Sequence, residues 1–323
     1  MFTPLVSIII PMKNEEIIVK RCLNSIKTIN YPHNKIEIVI VNDGSTDRTK
    51  NIVLDQKHDL NIVYLETQGL GVSKARDLGL KKSSGNFTVF TDADCVVHPD
   101  WIIELLKPFQ ENVAAVGGPN LTPKDDTHFA KCVGSVLSFL SKPGARYAFE
   151  GEEIIEIHHN PTCNVMYRKN VLEEVNGFNH ILITTDDEEL DYRIRKKGYK
   201  ILYTPFAKVD HYRRSSWKKF MKMAYYYGLG RMQSTKIHHE MGKWFHFAPM
   251  FYVLILMLLG IISLFYNVYS YTFVSLIVLS ILGIGLISII STYKKECNLS
   301  TFFFLVNIWL YGYGLGMMRG VFK

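Results

Sequence analysis

Two carboxylates one residue apart, Asp92 and Asp94, close a short apolar run, Phe87 to Phe90. Side chains alternate along a strand, so residues two apart leave it on the same side. A pair of hard oxygen ligands aimed into one crevice suits Mg²⁺ or Mn²⁺, which take one or two carboxylates and complete their shell with substrate phosphates. A second acidic run, Asp186-Asp-Glu-Glu189, opens a stretch with helical spacing. Acids in a first helical turn complement the helix dipole, and Thr185 is placed to cap it.

These groups need a scaffold. Leu5 to Ile10 reads as a buried strand stopped by Pro11, Ile36 to Val41 as a second, and Asn61 to Leu65 as a shorter third. Helical spacing over Ile17 to Ile29, Arg48 to Gln56 and Ser73 to Lys82 separates them, with Ser45 or Thr46 placed to cap the second helix. Alternation of strands and helices at this spacing predicts an α/β fold with a parallel sheet and right-handed crossovers. The polar loops after the first, second and fourth strands then share one edge, where ligands of open α/β sheets lie. Residues 120 to 160 carry no readable pattern.

Of 323 residues, 48 % are apolar, and they are unevenly spread. From Trp244 to Tyr293 there is no Asp, Glu, Lys or Arg. The net charge of +7 is also local: Arg193 to Lys243 holds 14 Lys and Arg against two acids, +12, which leaves −5 for the remainder. A basic stretch just ahead of a charge-free apolar region points to anionic lipid headgroups and not to nucleic acid. Five scattered cysteines (22, 95, 132, 163, 297), never in a C-x-x-C pair, predict reduced thiols in a cytosolic domain. The opening apolar run is too short for a signal peptide.

Seven motifs in order then carry a resemblance: Val6-Ser-Ile-Ile-Ile-Pro-Met-Lys-Asn-Glu15, Val39-Ile-Val-Asn-Asp-Gly-Ser-Thr-Asp47, Gly69-Leu-Gly-Val-Ser-Lys-Ala-Arg76, Asp92-Ala-Asp94, Asn164-Val-Met-Tyr-Arg168, Gly177-Phe178 and Asp186-Asp-Glu-Glu-Leu-Asp-Tyr-Arg193. The chain resembles the family 2 glycosyltransferases of the GT-A fold. That resemblance implies a Rossmann-like, mostly parallel catalytic domain over residues 1–215. It implies that Pro11, Asn14 and Glu15 frame a nucleotide pocket, that Asp43 binds the base or ribose, and that Arg76 lies near the donor. Asp92 would touch the ribose or sugar, and Asn164 would border the sugar and acceptor. Asp94 would hold the metal on the diphosphate, with His211 completing its shell; Arg213 and Arg214 would neutralise diphosphate charge. Asp187, second acid of the pair that is usually Glu-Asp, would be the general base; Asp at 186 departs from that pattern. Mn²⁺ or Mg²⁺ and a nucleotide-diphosphate sugar, UDP- before GDP-linked, are the expected cofactors.

The remaining chain reads as membrane-directed. Residues 216–246 form a basic amphipathic segment expected to lie in the interface with its aromatic side toward lipid. Residues 247–266, 271–290 and 299–318 are candidate spans, the last with Gly312, Gly314 and Gly316 for bending or close packing. Lys294 and Lys295 place their loop on the cytosolic side. The expectation is a multi-pass enzyme of the cytoplasmic membrane with a cytosolic catalytic domain. It would perform inverting, hexosyl-type transfer to a hydroxyl of a membrane lipid, lipid-linked sugar or growing glycan. Rival readings are a polyprenyl-phosphate glycosyl synthase, a processive polysaccharide synthase lacking the usual Gln-x-x-Arg-Trp, and a non-catalytic nucleotide-binding membrane protein.

Overall fold

The computed structural model describes residues 3–140, 151–292 and 297–323. The strands are β1 (Val6–Met12), β2 (Ile36–Asn42), β3 (Ile62–Glu66), β4 (Phe87–Phe90), β5 (Cys95–Val97), β6 (Val113–Gly117), β7 (Asn120–Leu121), β8 (Ile155–Glu156), β9 (Val165–Arg168), β10 (Lys200–Tyr203) and β11 (Val209–His211). The helices are α1 (Val19–Lys27), α2 (Thr49–Asp55), α3 (Val72–Lys82), α4 (Trp101–Leu106), α5 (His128–Leu140), α6 (Lys169–Glu174), α7 (Asp186–Lys196), α8 (Trp217–Ile237), α9 (Ala248–Ser263), α10 (Asn267–Thr292) and α11 (Leu299–Val321). They divide into two compact units: Met1–Pro123 with Ser141–His180 and Asp186–Tyr212, and Lys124–Leu140 with Ile181–Thr185 and Arg213–Lys323.

The first unit is built on a mixed sheet in the order β3-β2-β1-β4-β9-β6-β10-β8. The expected parallel pairing holds from β3 to β4 and between β6 and β10, whereas β9 runs antiparallel to both β4 and β6, and β8 runs antiparallel to β10. β1 and β2 are buried at every position, as their mostly apolar runs require for a sheet covered on both faces; two of the polar exceptions meet, Ser7 Oγ donating to Glu37 at 2.6 Å. Pro11 does not end β1. The β4 ladder stops at Ile9–Phe90, and Ile9 C=O faces that side, so Pro11, two residues on, points its missing N–H where no strand needs it. A small sheet, β5-β11-β7, lies beside the main one and was not legible in the sequence.

In the second unit, helix α8 packs along α11. Phe220 is fully buried, and its ring lies 6.0 Å from that of Trp309. The two backbones approach at glycines: a Cβ on Gly228 would sit 2.0 Å from the Tyr313 carbonyl oxygen, and one on Gly316 would sit 1.9 Å from that of Tyr225. Small residues allow such close helix approach. Farther along, Lys236 Nζ donates to the Val321 carbonyl at 2.7 Å. Amphipathic periodicity identified a buried stripe here but could not say that protein covers it. The unpatterned region proves to contain α5. Its Cys132 is disulfide-bonded to Cys297, 165 residues away, while Cys22, Cys95 and Cys163 are buried thiols; the expectation of five reduced cysteines is thereby corrected. Spacing cannot reveal a pairing over that distance.

Among the described residues, two helices are long and apolar enough to cross a membrane: Tyr269–Ile290 within α10, and Leu299–Val321, which is α11. The 16-residue α9 extends about 24 Å, short of a hydrocarbon core of about 30 Å. Leu258, Ile261, Leu279 and Leu282 are among many exposed apolar side chains of α9 and α10.

Gly316→Leu is therefore expected to destabilise the chain in detergent by roughly 1–3 kcal/mol through overpacking against α8. Gly283→Leu, whose added Cβ meets nothing within 4 Å, should leave the thermal midpoint unchanged. Equal midpoints for the two variants would contradict the α8–α11 packing.

Candidate active site

The loops following β1 and β2 are laced together. Asn14, held at a positive φ of 57°, accepts from the Thr46 backbone N–H at 2.8 Å, and its own N–H donates to Ser45 Oγ at 2.8 Å. Glu15 N–H donates to Thr49 Oγ1 at 2.8 Å. Neither Ser45 nor Thr46 caps α2, whose N-cap position is Arg48; Asp47, just ahead of it, accepts from Thr49 N–H at 3.0 Å. Pro11 is buried in β1 below this rim.

Asp43 organises the next loop. Its carboxylate accepts from Thr67 Oγ1 at 2.5 Å and from the N–H groups of Leu70 (2.6 Å) and Gly71 (2.9 Å). Burial alone would push this carboxyl up. The donors, with Lys13 nearby, outweigh that and hold it below the usual carboxylate range. Gly71 leads into α3 at φ 90°, which a residue with a side chain adopts only under strain.

Arg76, projecting from α3, is nearly fully buried. Its guanidinium reaches Asp186 Oδ2 at 3.2 Å and Asp92 Oδ1 at 3.4 Å, and lies 5.7 Å from the centre of the Phe178 ring. Nε is buried without a hydrogen-bond partner among the described residues. Ser73, one turn earlier, donates to Asp186 at 2.8 Å. Asp186 is thus spent on holding α3 to α7, a use for the Asp that departs from the family's Glu. Burial and the adjacent Asp187 push Asp186 up, partly offset by Arg76 and Ser73.

Asp92 and Asp94 do not share a strand face. β4 ends at Phe90, and the two acids occupy the turn into β5, where Cys95 N–H donates to Asp92 C=O at 3.1 Å. Asp92 faces Arg76. Burial pushes its carboxyl up to about 6, with Cys163 and Asp94 adding to the effect and Arg76 and His211 opposing it. Asp94 faces His211, with Nε2 3.3 Å from Oδ1. The antiparallel register that sets His211 opposite Cys95 brings this imidazole beside Asp94 from 117 residues away. Asp94, Cys95 and His211 have ligand atoms all within 4.8 Å of one another. Burial raises the Cys95 thiol far above its ordinary value, so it faces the pair protonated. A carboxylate oxygen and an imidazole nitrogen form a donor set that fits Mn²⁺.

Asp187 opens α7 and is mostly buried. Its Oδ1 accepts from Glu188 N–H at 2.9 Å, and Thr162 N–H lies 3.4 Å from Oδ2. Thr185 does not provide the expected cap; its hydroxyl donates to the Gly230 carbonyl at 3.1 Å within the second unit. Asn164 is fully buried, with Oδ1 accepting from Trp101 Nε1 (2.7 Å) and Nδ2 donating to the carbonyls of Pro119 (3.0 Å) and Ala207 (2.8 Å), so its amide braces the scaffold. Arg213 and Arg214 belong to the second unit, where Arg213 N–H donates to Asp126 at 2.9 Å. Sequence reasoning overlooked Ser73, His159 and Asp191. His159 had only its position ahead of Asn160-Pro161 to mark it.

A mixed α/β sheet with acids and a histidine gathered after β4 and β11 defines a GT-A-type unit. The model of the glycosyl transferase family 2 matches residues 7–175, and the chain belongs to that family of enzymes. Glycosyltransferase AglE of Haloferax volcanii is 29 % identical over 211 residues; the match covers 62 % of this chain and 64 % of that protein's length. A Methanococcus voltae enzyme is 26 % identical over 275 residues, covering 81 % of this chain and 84 % of its own. It is named dolichyl N-acetyl-alpha-D-glucosaminyl phosphate 3-beta-D-2,3-diacetamido-2,3-dideoxy-beta-D-glucuronosyltransferase. Among solved structures, mannosyltransferase PcManGT from Pyrobaculum calidifontis, in complex with GDP-Man and Mn²⁺, superposes with a TM-score of 0.59 at 21 % identity, covering 75 % of this chain and 66 % of that one. The fold is shared at that distance.

Arg76→Met should leave Asp186 as an unpaired buried acid and cost about 3–5 kcal/mol, read as an earlier chemical-unfolding midpoint. A loss below 1 kcal/mol would remove Arg76 as the tie between α3 and α7. Mn²⁺ should raise the thermal midpoint of the chain in the presence of a nucleoside diphosphate, and Asp94→Asn should abolish that rise. An equal rise in both proteins would move the metal elsewhere.

Proposed function

We propose that the chain transfers a sugar from a nucleotide-diphosphate donor to a hydroxyl of a membrane-associated acceptor, with inversion at the anomeric carbon. One observation carries this reading: Arg76 ties Asp92, two residues from the Asp94–His211 pair, to Asp186, the immediate neighbour of Asp187. The proposed cation pair and the proposed base would thereby each sit beside a member of one ion network. The donor nucleotide would rest on the loops framed by Pro11, Asn14, Glu15 and Asp43, with Asp92 toward the ribose or sugar. Asp94 and His211 would hold Mn²⁺ or Mg²⁺, which neutralises charge on the departing diphosphate when bound. Asp187 removes the proton of the acceptor hydroxyl as its oxygen attacks from the face opposite the leaving group. A single displacement inverts the centre.

A lipid-linked sugar acceptor draws support from the relative matched over most of its length, which is named for transfer to a dolichyl-phosphate-linked sugar. The two long apolar helices and the basic run ahead of them support an acceptor held at a cytoplasmic membrane with anionic headgroups. Complexes of fold neighbours with GDP-Man and with UDP-GlcNAc support a nucleotide-sugar donor of either base.

The test is nucleotide release by the detergent-solubilised chain given UDP- and GDP-sugars, Mn²⁺ and membrane lipid extract. Lipid-stimulated release from one donor, removed by EDTA and reduced at least about 100-fold by Asp187→Asn, is expected. Full activity in Asp187→Asn would point instead to an acceptor phosphate, which needs no base.

A further inference from the structure

One buried cluster is used neither by the donor loops nor by the cation pair. His159 lies between β8 and β9, and its ring spans one turn of α7. Nδ1 is 3.0 Å from Asp191 Oδ2, and Nε2 is 3.8 Å from Asp187 Oδ2. Asp191 is fully buried and fixed from three directions, because its carboxylate also accepts from Tyr167 OH at 2.8 Å and from Asn160 N–H at 2.8 Å. The ring therefore has one orientation, set by Asp191. Nε2 is buried and has no hydrogen-bond partner among the described residues, so its polar capacity is directed at Asp187 alone. A separation of 3.8 Å exceeds a hydrogen bond, yet lies well within the reach of a charge interaction. Catalytic hydrogen bonds are often long before substrate binds.

We infer that His159, aligned by Asp191, is a positioning residue that keeps Asp187 ionised and directed for proton abstraction. The inference rests on Asp187 being the base. Spacing supports it: residues four apart share a helix face, so Asp187 and Asp191 would repel each other across one turn unless a cation sat between them. Burial pulls His159 down, but Asp187, Asp191 and Glu188 more than offset this and raise it above the ordinary imidazole value. Other charged groups at Asp187 are Asp186 beside it on α7 and Arg76 from α3. The imidazolium adds a positive charge facing Asp187 Oδ2. Removing it makes the charged form of Asp187 less favourable, so protonation sets in at higher pH and the acid limb of activity moves upward.

The experiment is the pH dependence of kcat/KM for sugar transfer by the full chain in detergent, for the wild type, His159→Gln, Asp191→Asn and Asp187→Asn. For His159→Gln the expected result is an acid limb raised by roughly one pH unit and a kcat lowered roughly 10- to 100-fold, with donor KM and the nucleotide-induced thermal shift unchanged. Should His159→Gln not fold, Asp191→Asn frees the ring and should displace the same limb. An inactive Asp187→Asn alongside an acid limb unmoved in His159→Gln and Asp191→Asn would overturn the role of His159. An active Asp187→Asn would overturn the base reading itself, and this inference with it.

Discussion

A single buried guanidinium organises the first unit. Arg76 leaves α3 in the middle of a low-dielectric interior, where a lone charge is untenable, and two carboxylates from distant parts of the chain compensate it. One comes from the turn after β4, the other from the first residue of α7. Charge balance therefore dictates geometry: the turn bearing the acids cannot move away from α3, and neither can the start of α7. Ser73 reinforces the second tie. With Asp186 fixed in this way, Asp187 is fixed by covalent adjacency, and so is the face on which His159 meets it.

A second layer of constraint uses neutral hydrogen bonds. Asp43, Asn14 and Asp47 each spend their oxygens on backbone N–H groups of neighbouring loops. Loops after parallel strands contain many unpaired N–H groups, and short polar side chains satisfy them without long-range packing. The rim of the crevice is consequently stiff before any ligand arrives, which lowers the cost of ordering it around a nucleotide. The family's acidic and amide residues in these loops act first on the protein itself. Asn164 is the extreme case, because its whole amide is absorbed by Trp101, Pro119 and Ala207.

The second unit follows different physics. α8 carries Lys218, Lys219 and Lys222, yet its buried stripe combines Phe220, Leu229 and Met232 with small residues, Ala224 and Gly228, set against the glycines of α11. Van der Waals contact between close backbones holds the pair, while the exposed apolar surfaces of α9 and α10 suit a hydrocarbon environment. One unit is fastened by buried charge and the other by close helix approach.

Local pattern by itself determined a good deal. The Val- and Ile-rich runs of β1 and β2 identified buried strands, the alternation with helices identified an α/β sheet, and seven ordered motifs identified the family that the match over residues 7–175 bears out. These are properties of short stretches, so one sequence carries them. The tertiary structure decided which of those residues meet. The turn placement of Asp92 and Asp94, the antiparallel insertion of β9, the β11 register that delivers His211 to Asp94, and the Asp191–His159–Asp187 line each depend on long-range pairing. Side-chain type and spacing carry no information about a partner tens of residues away or more; packing, charge compensation and strand register supply it.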